Sequence, residues 1–366
     1  MKSLQGILSS SLILCLIAVL AWAAPPWIEE ESASHMSEER NPEGCAGCHK
    51  VSGVPGTPLL KRSKGEICYE CHGFFSRGKA KADVETVFTK FSKHPIQETT
   101  KYHFRGEDLP EKLPTAPRHV SCFDCHVSHV STPKKPWQGA RGFSRTRMRL
   151  NRASFEYELC YLCHSDSANR PSGAKNKRQE FDPFNDSYHP VELTGRNKFV
   201  PSLIRELNVN SMIACTDCHG NNDPIGAQGP HGSDYAPILK AEYRTYEGLE
   251  SPKAYELCYM CHDRRSILGD EGFRKHSLHI LTASTSCYTC HVSHGIERGK
   301  HLIRFSDYND YVRDIEDISR LVGFSNTGSP IQYDSQSIRC YLRCHDIDHN
   351  INGVFRADGT ELPEGW

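Results

Sequence analysis

Cysteine and histidine recur together at one fixed spacing. Seven copies read C-x-x-C-H: Cys45, Cys48 and His49; Cys68, Cys71 and His72; Cys122, Cys125 and His126; Cys160, Cys163 and His164; Cys215, Cys218 and His219; Cys258, Cys261 and His262; Cys287, Cys290 and His291. An eighth, Cys340, Cys344 and His345, is stretched by one residue to C-Y-L-R-C-H. Two cysteines at this spacing can form thioethers to the two vinyl groups of one haem. The histidine that follows is then held beneath the iron as its axial ligand, which makes C-x-x-C-H the attachment signature of c-type haem. The count agrees: the eight motifs use 16 of 17 cysteines and leave only Cys15, so no pair remains for a disulfide. Zinc is the competing chemistry, because C-x-x-C also opens many zinc sites, but zinc needs no histidine directly after every second cysteine. A thioredoxin-like pair would appear once or twice beside a βαβ pattern, which is absent here. Eight covalent haem c groups are therefore expected, and no catalytic residue is singled out.

Of 20 histidines, eight are proximal and 12 remain, four more than eight bis-histidine irons need. Iron with two protein ligands stays low-spin and closed to substrate, which suits electron transfer. His129 and His294 each lie three residues after a proximal histidine, an offset that reaches a neighbouring haem better than their own. His231, in G-P-H-G-S, is their displaced equivalent. His94 in F-S-K-H-P and His189 in D-S-Y-H-P occupy matching places between motif pairs. Their third counterpart is ambiguous: His276 shares the F-x-K-H context, and His279 lies nearer Cys287. His119 precedes Cys122, and His349 follows the last motif. The preferred distal set is thus His94, His119, His129, His189, His231, His279, His294 and His349, with His35, His276, His103 and His301 as alternates. His35 would serve the first haem, or a neighbouring subunit. For the weaker candidates an ordinary surface histidine is the competing reading.

The N-terminus fits such a cargo. Lys2, an apolar run over residues 7–20 and Ala21-Trp22-Ala23 read as a secretory signal over 1–23 with an A-x-A cleavage site. Covalent haem attachment takes place outside the cytoplasmic membrane, so export is required. A retained anchor is the alternative, but the apolar run is short for a span, and Leu14 argues against lipidation of Cys15. No later segment is long and apolar enough to cross a bilayer, so no stable transmembrane anchor is expected. The place would be the periplasm, the outer-membrane surface or the extracellular space. The polypeptide's net charge of −1 offers nothing to nucleic acid. Haem propionates would make the assembly acidic and give the 44 Lys and Arg residues partners. The densest stretch, Arg141, Arg145, Arg147, Arg149 and Arg152, reads as propionate pairing or a solvated face before it reads as a dock for an acidic redox partner.

After residue 23, about 43 residues remain per haem, too few for an ordinary polypeptide core. The expected fold is a haem-packed multihaem cytochrome c: mostly irregular, with short α-helices and minimal β-structure, unfolded without its haems as small metal domains are without metal. The motifs fall into four tandem pairs, dividing the chain into two-haem units at 24–85, 86–185, 186–270 and 271–366. Second members share a flank: E-I-C-Y-E-C-H at Cys68, E-L-C-Y-L-C-H at Cys160 and E-L-C-Y-M-C-H at Cys258. First members carry C-x-x-C-H-V-S-H at Cys122 and Cys287. Between motifs, Val312, Ile315, Ile318 and Val322 recur at helical spacing and predict a helix near 307–322, closing one flank of the array. A polar tail follows from 356.

This alternation of E-L-C-Y-x-C-H with C-x-x-C-H-x-x-H resembles the doubled C-x-x-C-H family of multihaem cytochromes c, over nearly all of the mature chain. The resemblance implies bis-histidine haems packed in close sequence, with His129 and His294 as distal ligands. It implies electron transfer between periplasm and exterior with other redox proteins: cytochromes, an outer-membrane conduit or an extracellular acceptor. The chain departs from the pattern at the stretched Cys340 motif, at the delayed His231, and in the first pair, which lacks its own downstream histidine. The expected function is therefore a non-catalytic electron carrier. The alternatives are an octahaem reductase or oxidase of a small nitrogen or sulfur compound, which needs an open haem, and a cytochrome that polymerises into a filament. Many such enzymes replace one motif histidine by lysine, and none of the eight motifs does so.

Overall fold

A computed structural model describes residues 34–50, 59–62, 65–76, 82–96, 109–110, 120–170 and 173–304, and the backbone of strands at 331–333, 338–340, 342–344, 347–350 and 353–356. The helix expected near 307–322, the signal at 1–23, and His103, His119, His345 and the side chain of His349 lie outside the described residues.

The chain is mostly irregular, with short helices and little sheet. The longest described α-helix, Glu156–His164, has nine residues, and most others are single turns of four. Seven of the described short helices fall on the motifs: Cys45–Cys48, Glu66–His72, Cys122–Cys125, Glu156–His164, Cys215–Cys218, Glu256–Tyr259 and Cys287–Cys290. One helical turn brings residues three apart onto one face, so each turn presents its two sulfurs to the same side. Local capping fixes where several turns begin. Ser121 N donates to Asp124 Oδ2 (2.8 Å), Ala214 N to Asp217 Oδ2 (2.7 Å), and Thr289 N to Ser286 Oγ (3.2 Å). The motif histidines leave in two ways. His49, His126, His219 and His291 cap their helices in extended backbone, whereas His72 and His164 remain within theirs.

Among the described residues, an apolar cluster surrounds the fourth motif: Leu109, Phe143, Tyr157, Tyr161, Leu162, Phe181 and Val191. Tyr157 and Tyr161 are one turn apart and share its face. Glu158 turns back to accept from Ser154 N (2.7 Å) and Phe155 N (3.1 Å), closing the helix start.

Two two-residue ladders hold loops from distant parts of the chain. Ser92–Lys93 pairs antiparallel with Gly232–Ser233, and Ser187–Tyr188 with Gly295–Ile296. Each ladder has one histidine just after its first strand and another just before its second: His94 with His231, and His189 with His294. The C-terminal region is strand-built. Ile347–Asn350 lies between Leu342–Cys344 and Gly353–Arg356, and Ile331–Tyr333 pairs with Ile338–Cys340. The two cysteines of the stretched motif therefore end two different strands and do not share a helical turn. The extra residue changes the spacing of the two cysteines from three residues to four. Among the described residues no helix is long and apolar enough to cross a membrane.

Candidate haem centres

All seven described motif histidines face a second imidazole. Ring centres are 6.2 Å apart for His49 and His129, 6.1 Å for His72 and His35, and 6.0 Å for His126 and His231. They are 6.2 Å apart for His164 and His94, 6.2 Å for His219 and His294, 6.5 Å for His262 and His189, and 6.3 Å for His291 and His276.

Hydrogen bonds orient many of these rings. Nδ1–H of His35 donates to Ser128 O (3.2 Å), of His94 to Pro230 O (2.5 Å) and of His189 to Ser293 O (2.6 Å). On the motif side, His126 donates to Pro136 O (2.9 Å), His219 to Pro237 O (3.0 Å) and His291 to His301 O (2.9 Å). A carbonyl can only accept, so each of these rings carries its proton on Nδ1 and keeps the Nε2 lone pair for a metal, the usual arrangement of ligating histidines. The distal loops share one construction: the carbonyls of Ser128, Pro230 and Ser293 each belong to the residue immediately before another paired histidine, His129, His231 or His294. His294 differs, with Nδ1 3.3 Å from Glu180 Oε2. Burial holds His164, His219, His231, His262 and His291 well below the usual imidazole range, at about 4. They are neutral near pH 7, as a metal ligand must be.

The cysteine turns follow one another in space as in sequence. Cys48 lies beside Cys71, Cys68 beside Cys122, Cys125 beside Cys160, Cys160 beside Cys215, Cys218 beside Cys261, and Cys258 beside Cys287. A continuous cavity of about 3700 Å³ runs between the turns and is lined by both imidazoles of five of the seven pairs. An ordinary ligand pocket is about 300–1,000 Å³.

These residues fit haem. Two imidazoles on opposite faces of one iron have ring centres roughly 6 Å apart, with a metal–nitrogen bond of about 2 Å on each side. Zinc fits less well. Among the described residues no group of three or more His, Cys, Asp or Glu converges to hold a metal ion, and burial pushes the Cys258 and Cys287 thiols up to about 12, away from the thiolate that zinc requires.

Of the preferred distal candidates, His94, His129, His189, His231 and His294 stand opposite a motif histidine. His279 does not stand opposite a described one: its Nδ1 donates to Lys275 O (2.8 Å), and His276 faces His291 in its place. The F-x-K-H context shared with His94 was the sequence signal for His276. His35 stands opposite the second motif's His72, not the first motif's His49. His301 contacts Asn197 through Nδ1 (2.9 Å) and offers its backbone carbonyl, not its ring, to His291. Glu180 and the orienting carbonyls carried no sequence signal. In the arginine stretch, Arg147 pairs with Asp166 (3.5 Å), which also holds Arg178 (3.0 Å).

Cysteine pairs on helical turns, each followed by an imidazole that a second imidazole faces, repeated along one irregular chain, define a multihaem c-type cytochrome. Residues 39–76 match the family described as "Doubled CXXCH motif", and residues 121–301 match "Outer membrane cytochrome MtrC/MtrF-like, domains II/IV". Among curated proteins, the chain is similar to "Multiheme cytochrome MtrA" of Shewanella baltica, 28% identical over 122 residues. That stretch is 33% of this chain and only 24% of the relative, so the chain matches about a quarter of that protein's length. No solved structure matches.

Proposed function

We propose that this protein is an octahaem electron carrier whose irons are each held by two histidines. The observation that carries the reading is the set of seven facing imidazole pairs at 6.0–6.5 Å. When bound, each haem supplies an iron that takes up and releases one electron. The chain's part is to hold, orient and close those sites. Cysteines of each turn would carry the thioethers, the two imidazoles would occupy both axial positions, and neither would leave room for a substrate. An enzyme would need a motif histidine with no imidazole opposite it, and each of the seven described ones has such a partner. His35 is supplied by the same chain that carries His72, so this pair requires no neighbouring subunit.

The pairs obey one interleaved rule. A histidine ahead of the first, third or fifth motif (His35, His94, His189) faces the second, fourth or sixth. A histidine behind the third, fifth or seventh motif (His129, His231, His294) faces the first, third or fifth. Applied once more, the rule assigns the region ahead of the seventh motif to the eighth. His276 from that region faces the seventh motif's His291, and His279 is left for His345. The order of neighbouring cysteine turns makes the path of electrons the order of the sequence.

Export, and work with other redox proteins between periplasm and exterior, follow from the leader-like N-terminus and from the outer-membrane cytochrome family that residues 121–301 match. Two measurements test the proposal. Mass spectrometry of the exported protein should show eight added haems, and seven after joint substitution of Cys340 and Cys344 by Ala. Carbon monoxide added to the reduced protein should leave its spectrum unchanged; binding by a definite fraction of haems in the native protein would overturn the carrier reading.

A further inference from the structure

The imidazole of His294 is backed by a charged group where others are backed by neutral ones. Six rings in the array donate Nδ1–H to backbone carbonyls: His35, His94, His126, His189, His219 and His291. His294 instead meets Glu180 Oε2 at 3.3 Å, with that side chain only 16% exposed.

The contact is built into the fold. Glu180 ends the turn Lys177–Glu180, whose start is fixed by Gln179 N donating to Asn176 Oδ1 (3.3 Å). Asn185 Nδ2 donates to the Glu180 carbonyl (2.8 Å). Gly295, next to His294, lies against the same carbonyl so closely that a Cβ would fall 1.8 Å from it. Phe181 packs edge-on against the His294 ring, centres 5.3 Å apart. Carboxylate and imidazole are therefore locked in register from both sides.

We propose that Glu180 is a potential-tuning residue that makes the centre held by His219 and His294 more reducing than the centres whose histidines are backed by carbonyls. This rests on the bis-histidine reading above. A carboxylate accepting the Nδ1 proton draws that proton away and makes the imidazole a stronger donor. A stronger donor favours the ferric over the ferrous state. Lys177 contacts Glu180, and its Nζ is also within hydrogen-bond distance of His294 Nδ1 (3.2 Å); with Nε2 given to iron, Nδ1 carries the proton and Glu180 is the group beside it able to accept. The positive charge of Lys177 offsets part of the through-space field, but an ammonium has no lone pair and cannot accept the proton. The fifth centre then fills last as the array is reduced, dividing the first four from those that follow.

The test is a spectroelectrochemical titration of the intact holoprotein and its Glu180→Gln variant. Gln keeps an acceptor oxygen and loses the charge. One couple should move to more positive potential by about tenfold in its equilibrium constant, or 59 mV for one electron, while the others stay in place. Lys177→Met should move the same couple the opposite way, and this second variant keeps the test open should Glu180→Gln fail to assemble. If every haem remains low-spin in both variants and no couple moves, the tuning role is overturned and the ligand assignment survives. If His294→Ala leaves every haem low-spin and blind to carbon monoxide, the ligand assignment itself falls and takes the tuning role with it.

Discussion

Replacing Gly295 by alanine is expected to open two haem sites with one methyl group. The Cβ would sit 1.8 Å from the Glu180 carbonyl oxygen, 2.9 Å from its carbon and 3.0 Å from Tyr188 Cβ. Both obstructing Glu180 atoms are backbone, so no side-chain rotation relieves the clash. Ordinary contact begins at 3.4 Å, so one backbone must retreat by about 1.6 Å. Overpacking of this kind costs about 1–3 kcal/mol, but ligation is the more sensitive readout, because metal–ligand distances tolerate only about 0.2 Å. Gly295 adjoins His294 and pairs across its ladder with Tyr188, next to His189. His189 N donates to His294 O (2.9 Å), so the two distal histidines move together. The reduced Gly295→Ala protein should therefore bind between one and two equivalents of carbon monoxide where the native protein binds none. A variant that stays fully low-spin and binds no carbon monoxide would refute this linkage of ladder geometry to ligation.

The matching position in the other ladder gives a graded comparison. A Cβ on Gly232 would lie 2.3 Å from Val87 O, so Gly232→Ala should open the His231 and His94 sites less completely, by the same carbon monoxide titration. His276→Ala should create one high-spin haem. His279→Ala should create a different one, the eighth; identical ligand-binding spectra from the two variants would count against the interleaved rule. Glu192 is buried beneath Tyr161, whose hydroxyl donates to it (2.5 Å), and burial lifts its carboxyl to about 7 from 4.5. Between those values the unfolded chain has released a proton that the folded chain keeps, so stability falls as pH rises. Glu192→Gln should shrink the drop in thermal midpoint between pH 5 and pH 8, and an unchanged drop would exclude Glu192 as its source.

The proximal half of each site was legible because it is local. A cysteine, two spacers, a cysteine and a histidine on one turn need nothing from the rest of the chain. The distal half is long-range. His129 reaches back to His49, and His231 to His126, across dozens of residues that no periodicity connects. Shared local context singled out His94 and His189 as distal candidates, but not which motif each would face. His35 shows the limit. Its nearest motif in sequence is the first, yet the loop carbonyl of Ser128 holds it opposite the second. The short helices and scarce sheet followed from the density of haem sites. The strand-bound cysteines at 340 and 344 did not, since a spacing of four is as compatible with a helical turn as a spacing of three and gives no signal for strand.

The pairs also bear on how the chain folds. His49 with His129, His126 with His231, and His219 with His294 each join residues on opposite sides of the boundaries at 85, 185 and 270 that the motif pairs suggest. A two-haem unit cut out by sequence would keep its cysteines but lose a distal ligand, leaving a closed iron open. On the proposed ligand assignment, interleaving does two things with one set of residues. It would complete each coordination sphere only when the next stretch of chain has arrived, and it would clamp successive cysteine turns side by side. The short distances that electron transfer requires and the cooperativity that a chain without a large core otherwise lacks then come from the same imidazoles.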